Sequence, residues 1–262
     1  RHILANPLRE RDGHWEMDLE QLEQLARGGA RTLLLCNPHN PVGRAWSAQE
    51  LAEVLRIARR HDLTLISDEV HGDLALPGHA HVPLARLAEN DPRVASLVSP
   101  GKTFNLQGLP LALLVVPDPA RRALIQRVVA TWRLGDANAF SVVAAEAAWR
   151  GGDAWLDALK EFLDKNRRLV EDQIAHKLPS LRVAPIEASY LAWLDCRTLG
   201  LDDAALQRFF VEDCGLGLNP GIDFGTGGAG HMRMNIAAPW RTVVDALGAV
   251  GEAMARLPRR RG

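Results

Sequence analysis

The sequence predicts an α/β fold with a mainly parallel sheet, on three observations. Short apolar runs that end in polar residues recur at 32–36, 63–67 and 94–98, the pattern of parallel strands buried on both faces. A capping box, Ser47-Ala48-Gln49-Glu50, lies between the first two runs. It heads a stripe of Leu51, Val54, Leu55 and Ala58 at helical spacing. Strand, helix and strand in that rhythm describe crossover units, which build parallel sheets.

The run at 32–36 stops at Asn37-Pro38, where a ladder donor is lost. The capping box starts the next element because its serine accepts from an early helical amide while the glutamate reaches back. Strands are expected again at 63–67, 94–98 and 111–116, the last stopped by Pro117 and Pro119. Beyond residue 120 the pattern changes. Helical stretches at 121–131 and 142–149 precede a break at Gly151-Gly152, and a long helix over 154–177 is ended by Pro179. Strands at 181–183 and 190–194, a helix at 204–211, a strand at 231–236 and a final helix at 242–256 describe a smaller α+β unit. The expected division is a partial large domain over 1–160 and a small C-terminal domain over 161–262, hinged on the long helix.

At 262 residues, with 47% hydrophobic and 24% charged side chains, the chain reads as an ordinary globular protein with room for two domains. A formal charge of −1 offers no field for nucleic acid or a membrane surface. The one basic run, Arg259-Arg260-Arg261, reads as a solvated tail. Cys36, Cys196 and Cys214 are widely spaced, which suits reduced thiols in a cytoplasmic protein and no disulfide framework. No signal peptide or membrane-spanning run is evident. The chain opens on Arg1-His2-Ile3-Leu4 without a methionine, as a fragment or a processed form would.

Ligands of open α/β sheets collect beyond the carboxyl ends of the strands, and three strands here end in reactive groups. Asn37 to Gly43 (NPHNPVG) follows the first, Asp68-Glu69-Val70-His71 the second, and Ser99-Pro100-Gly101-Lys102 the third. Lys102 can form a Schiff base and Asp68 can hold a pyridine nitrogen in its protonated form, together the needs of pyridoxal phosphate. Asp68 and Glu69 alternate faces on an extended chain, so only one points into a cleft; Asp68 is the choice, and Glu69 reads as structural. Ser99 offers a hydroxyl to a phosphate oxygen. Asn40, between two prolines, is either turn chemistry or an amide donor, and His71 is either structural or functional. His79 and His81 lack a third ligand and read as loop residues, so no metal is expected. Arg233 sits on a strand of the small unit, where a guanidinium needs a carboxylate; a substrate carboxylate and an internal Asp or Glu would serve equally.

Together these segments resemble the fold-type I pyridoxal-phosphate enzymes of the class I/II aminotransferase superfamily. Within it, SDEVHGDL, SPGKTFNLQGL, YLAWLDCR and MRMNIAAPW resemble the PatB/MalY cystathionine β-lyase group, the carbon–sulfur β-lyases. The resemblance covers nearly the whole chain. It implies that Lys102 carries pyridoxal 5'-phosphate, Asp68 pairs with the pyridine nitrogen and Asn40 bonds the phenolic oxygen. His71 would lie beside Asn40 where aminotransferases have tyrosine, with Ser99 on the phosphate and Arg233 on the substrate carboxylate. Many aminotransferases carry a phosphate-binding arginine eight residues after the lysine, where this chain has Pro110; the β-lyase group commonly lacks it too. Relatives also carry a long segment ahead of the position matching Arg1, with further cofactor contacts and a tyrosine lent across a homodimer.

The function implied is β-elimination from cystathionine or another S-substituted cysteine, giving a thiol, pyruvate and ammonia. An aminotransferase is the nearest alternative, since it shares the early steps. A non-catalytic or regulatory protein is the other.

Overall fold

The alternating pattern builds two four-stranded sheets, in a computed structural model that describes residues 2–89, 91–135 and 137–257. The terminal run Arg259 to Arg261 lies outside the described residues. A hairpin of β1 (Arg9–Arg11) and β2 (His14–Glu16) comes first. Three-residue strands are too short to show a period of two, so the sequence did not announce it. In α1 (Leu19–Arg27), Asp18 caps the start by accepting from the Gln21 amide at 2.9 Å.

β3 (Thr32–Cys36) and β4 (Thr64–Asp68) pair in parallel, joined through α2 (Ala48–Arg60). The capping box is complete. Ser47 Oγ accepts from the Glu50 amide at 3.2 Å, and Glu50 Oε2 accepts from the Ser47 amide at 2.8 Å. Leu51, Val54, Leu55, Ile57 and Ala58 of α2 are buried against the sheet. A short α3 (Leu84–Leu87) precedes β5 (Val94–Val98), which adds parallel to β4. After α4 (Pro100–Thr103), β6 (Leu113–Val115) returns antiparallel to β5, giving the order β3-β4-β5-β6. Two of its three pairings are therefore parallel.

Next come α5 (Pro119–Thr131), α6 (Ala139–Gly151) and the long α7 (Asp153–Lys177). No residue of α5 is buried, and Trp132 and Phe140 beside it are 73% and 75% exposed. Residues 160 and 161 lie inside α7, which runs unbroken through them. The second sheet comprises β7 (Arg182–Val183), β8 (Leu191–Asp195), β9 (Asn219–Pro220) and β10 (His231–Asn235), in the antiparallel order β7-β8-β10-β9. α8 (Asp203–Arg208) widens into a π-turn over Phe209–Asp213, which buries Phe209 and Phe210. Met232 and Met234 point from β10 into the core, which they share with Leu163, Val170 and Ile174 of α7 and Leu247 of α9 (Trp240–Arg256). Strand alternation then sends His231 and Arg233 to the opposite face. Asn166 of α7 donates to the carbonyls of Ile236 (2.8 Å) and Ala238 (2.9 Å), fixing the end of β10.

Candidate active site

Three strand ends meet at one edge of the parallel sheet. Cys36 is level with Asp68, Asp68 with Leu97, and the Asn37 amide donates to the Asp68 carbonyl at 2.9 Å. Backbone pairing alone therefore brings the Asn37 loop, the Asp68 turn and the segment leading to Lys102 side by side.

The alternation of Asp68 and Glu69 separates them sharply. Asp68 is exposed, and among the described residues its carboxylate accepts only the Val70 amide, at 3.2 Å. Glu69 is buried and accepts from the Leu84 amide (3.0 Å) and Ser96 Oγ (3.1 Å), with His81 Nε2 at 3.1 Å. One carboxylate is free for chemistry, and the other is consumed in holding α3 and β5 together.

Lys102 lies on α4, half-buried, and its ammonium has no hydrogen-bond or ion-pair partner among the described residues. Ser99 caps the same helix: its Oγ accepts from the Gly101 amide at 3.1 Å and donates to the Leu111 carbonyl at 2.6 Å. The hydroxyl proton is thus committed, and donating to a phosphate requires Ser99 to leave Leu111.

His71 is buried and joins the two sheets. Its Nδ1 lies 3.2 Å from Ser189 Oγ, and its ring packs edge-on against Tyr190 at 5.8 Å. Burial lowers its pKa to about 4, and the positive charges of Lys102 and Arg233 push the same way. The imidazole is therefore neutral at pH 7, with two cations close by.

Arg233 is half-buried on β10 and lies 4.6 Å over the ring of Phe224. Its Nη1 donates to Asn40 Oδ1 and its Nη2 to Asn219 Oδ1, both at 2.9 Å. Nε is buried without a partner, and no carboxylate pairs with Arg233 among the described residues. Burial accordingly lowers its pKa. Of the two carboxylate sources open at sequence level, the internal one is missing here. Asn40, held through its oxygen, keeps its amide N–H groups for another acceptor.

Sequence reasoning did not single out Tyr190, Ser189, Phe224 or Asn219. Tyr190 is the single tyrosine of the chain, with its phenol pKa raised by burial. Its rarity at the head of a strand was the one available signal. Ser189 holds a left-handed φ of 73°, which no sequence pattern shows. Burial, with the Asp68 charge, raises the pKa of the Cys36 thiol at this edge to about 11, which keeps it in the thiol form at pH 7.

The family described as aminotransferase class I and II matches residues 7–247. Cystathionine beta-lyase PatB of Bacillus subtilis (strain 168) is 39% identical over 256 residues, covering 97% of this chain and 66% of that protein. Protein MalY of Escherichia coli (strain K12) is 32% identical, covering 91% and 61%. Among solved structures, cystalysin from Treponema denticola, which contains pyridoxal 5'-phosphate, superposes with a TM-score of 0.91 at 32% identity, covering 98% and 66%. The pyridoxal-phosphate-bound C-S lyase from Staphylococcus hominis superposes at 0.90 and 30% identity, covering 97% and 65%. The chain spans about two thirds of the length of these proteins.

Proposed function

The chain belongs to the class I and II aminotransferase family, and on that premise we propose that it serves a pyridoxal-phosphate-dependent carbon–sulfur β-lyase reaction. An S-substituted cysteine and water would give a thiol, pyruvate and ammonia. The observation that carries the proposal is a pair of cations, Lys102 and Arg233, whose charges both act on the neutral His71 and neither of which has a carboxylate partner among the described residues. A half-buried guanidinium hydrogen-bonded, among the described residues, only by two amide oxygens is suited to receive a carboxylate.

The residues present fit the cofactor. Among the described residues, the Lys102 side-chain nitrogen, the Asp68 carboxylate and the Asn40 amide N–H groups have no side-chain partner, while Ser99 can contribute once released from Leu111. When bound, pyridoxal phosphate supplies an electron sink conjugated to the substrate's Cα. Asp68 would hold the proton on the pyridine nitrogen, and Asn40 would donate to the phenolic oxygen. Arg233 would bind the substrate carboxylate through two parallel hydrogen bonds and so orient the Cα–H bond. Lys102 Nζ would take the Cα proton. His71, neutral and fixed by Ser189, would pack beside the site without adding a third charge.

The same reading places the division between a large and a small unit near residues 160/161 and includes a homodimer in the cytoplasm. The apolar surface of α5 and α6 supports a covered face, and no described helix is long and apolar enough to cross a membrane.

Borohydride treatment after adding pyridoxal phosphate should leave one covalent adduct, on Lys102, which Lys102→Ala abolishes. An adduct elsewhere, or one that persists in the variant, sinks the assignment. Pyruvate released from an S-substituted cysteine without added keto acid separates the lyase from an aminotransferase.

A further inference from the structure

Ser189 meets His71 from a backbone conformation that serine adopts at a cost. Its φ of 73° lies in the left-handed region, where glycine would sit without strain. A side chain kept in such a conformation points to a use for it. The backbone on both sides of the contact is held. The Ser189 amide donates to the Leu74 carbonyl at 2.8 Å, and the Glu187 and Ala188 amides both donate to the Gly43 carbonyl. Across from them, the Leu74 amide donates to the His71 carbonyl at 2.9 Å. Two held segments therefore set the 3.2 Å separation of Ser189 Oγ and His71 Nδ1, and both residues are buried.

Proton placement in this pair follows from a count of donors. His71 is neutral at pH 7, so its ring carries one N–H. Ser189 Oγ has no partner other than Nδ1 among the described residues. Were the ring proton on Nδ1, the serine would accept it and leave its own O–H buried without an acceptor. With the ring proton on Nε2, the serine donates to the Nδ1 lone pair and no buried donor of the pair is wasted. The second arrangement is favoured, because an unpaired buried donor is rarer and costlier than an unused lone pair.

Nε2 itself has no hydrogen-bond partner among the described residues, yet it keeps some open surface. The ring nitrogens that are buried without a partner belong to His39, His81 and His231 instead. Lys102 and Arg233, whose charges both act on the ring, are donors only and cannot take the Nε2 proton. The acceptor for that proton has to arrive with a ligand.

We propose that Ser189 is a positioning residue that donates to Nδ1, holds the ring proton on Nε2 and so makes His71 a hydrogen-bond donor to an anionic oxygen bound near Lys102 and Arg233. The inference deepens the lyase reading and rests on it, since the cofactor and the substrate carboxylate are the two sources of such an oxygen. With the proton on Nδ1, Nε2 would instead turn a lone pair towards that oxygen and repel it.

The test is a two-bond 1H–15N correlation spectrum of the histidine-labelled chain at pH 7, which tells the two tautomers apart, with His71→Gln assigning the signals. The unsubstituted ring should carry its proton on Nε2. Ser189→Ala and Ser189→Gly should each shift the tautomer ratio about fivefold towards Nδ1–H, the worth of one net hydrogen bond. Glycine also relieves the φ, so that variant covers the case in which the alanine variant fails to fold. A downfield move of the Nε2 proton on adding pyridoxal phosphate alone assigns the oxygen to the cofactor; one on adding L-alanine alone assigns it to the substrate carboxylate. A proton on Nδ1 in the unsubstituted chain, a ratio unmoved in both variants, or an Nε2 proton that ignores both probes overturns the inference. Borohydride trapping on the same sample keeps the two readings apart. A Lys102 adduct alongside any of those three results overturns this inference alone. No adduct, with a tautomer ratio that follows Ser189, overturns the lyase reading and supports Ser189 as the residue that places the proton.

Discussion

Acidification from pH 6.5 to 5 should weaken the fold through two named imidazoles. Burial and the Arg44 charge push His39 down to about 4, and burial with the Lys102 and Arg233 charges does the same to His71, both from 6.5. The folded chain keeps both rings neutral in this window while the unfolded chain protonates them. Their contribution is therefore complete above pH 6.5 and is lost as pH falls towards 4. At about 1.4 kcal/mol per pH unit, each interval is worth roughly 3 kcal/mol, and the two together give a slope of roughly 3 kcal/mol per pH unit. Urea unfolding followed by tryptophan fluorescence at several pH values from 7 to 5 measures that slope. His39→Gln and His71→Gln should each remove about half of it. A parental slope retained in both variants, or a flat profile between pH 6.5 and 5, would refute the reasoning.

Glu69→Ala removes the acceptor of the Leu84 amide, Ser96 Oγ and His81 in a buried position. It should cost about 3–5 kcal/mol in urea or thermal unfolding, and a change below about 1 kcal/mol would contradict its structural role. Asn166→Ala leaves the Ile236 and Ala238 carbonyls without their donor. A loss of about 2 kcal/mol is expected, with faster amide exchange at the end of β10 as the local readout.

Much of the fold was legible because its signals are local. The capping box lies within four residues and marks the start of α2, and the apolar runs at 32–36 and 94–98 coincide with β3 and β5. The different environments of Asp68 and Glu69 follow from strand alternation, which a sequence displays directly. Shorter features escaped: the hairpin of β1 and β2 has too few residues for a period, and the π-turn after α8 leaves the apolar spacing of a helix almost unchanged.

The residues alone determined the α/β class, the order of elements and the polar strand ends, since each depends on neighbours within a turn or a strand. Only the folded chain decided that Arg233 meets Asn40 and Asn219 and, among the described residues, no carboxylate, and that Ser189 and Tyr190 confine His71. Those contacts join residues more than a hundred positions apart in the His71–Ser189 and Asn40–Arg233 pairs. What a side chain meets at such separation is set by how two sheets pack, and no local pattern encodes that.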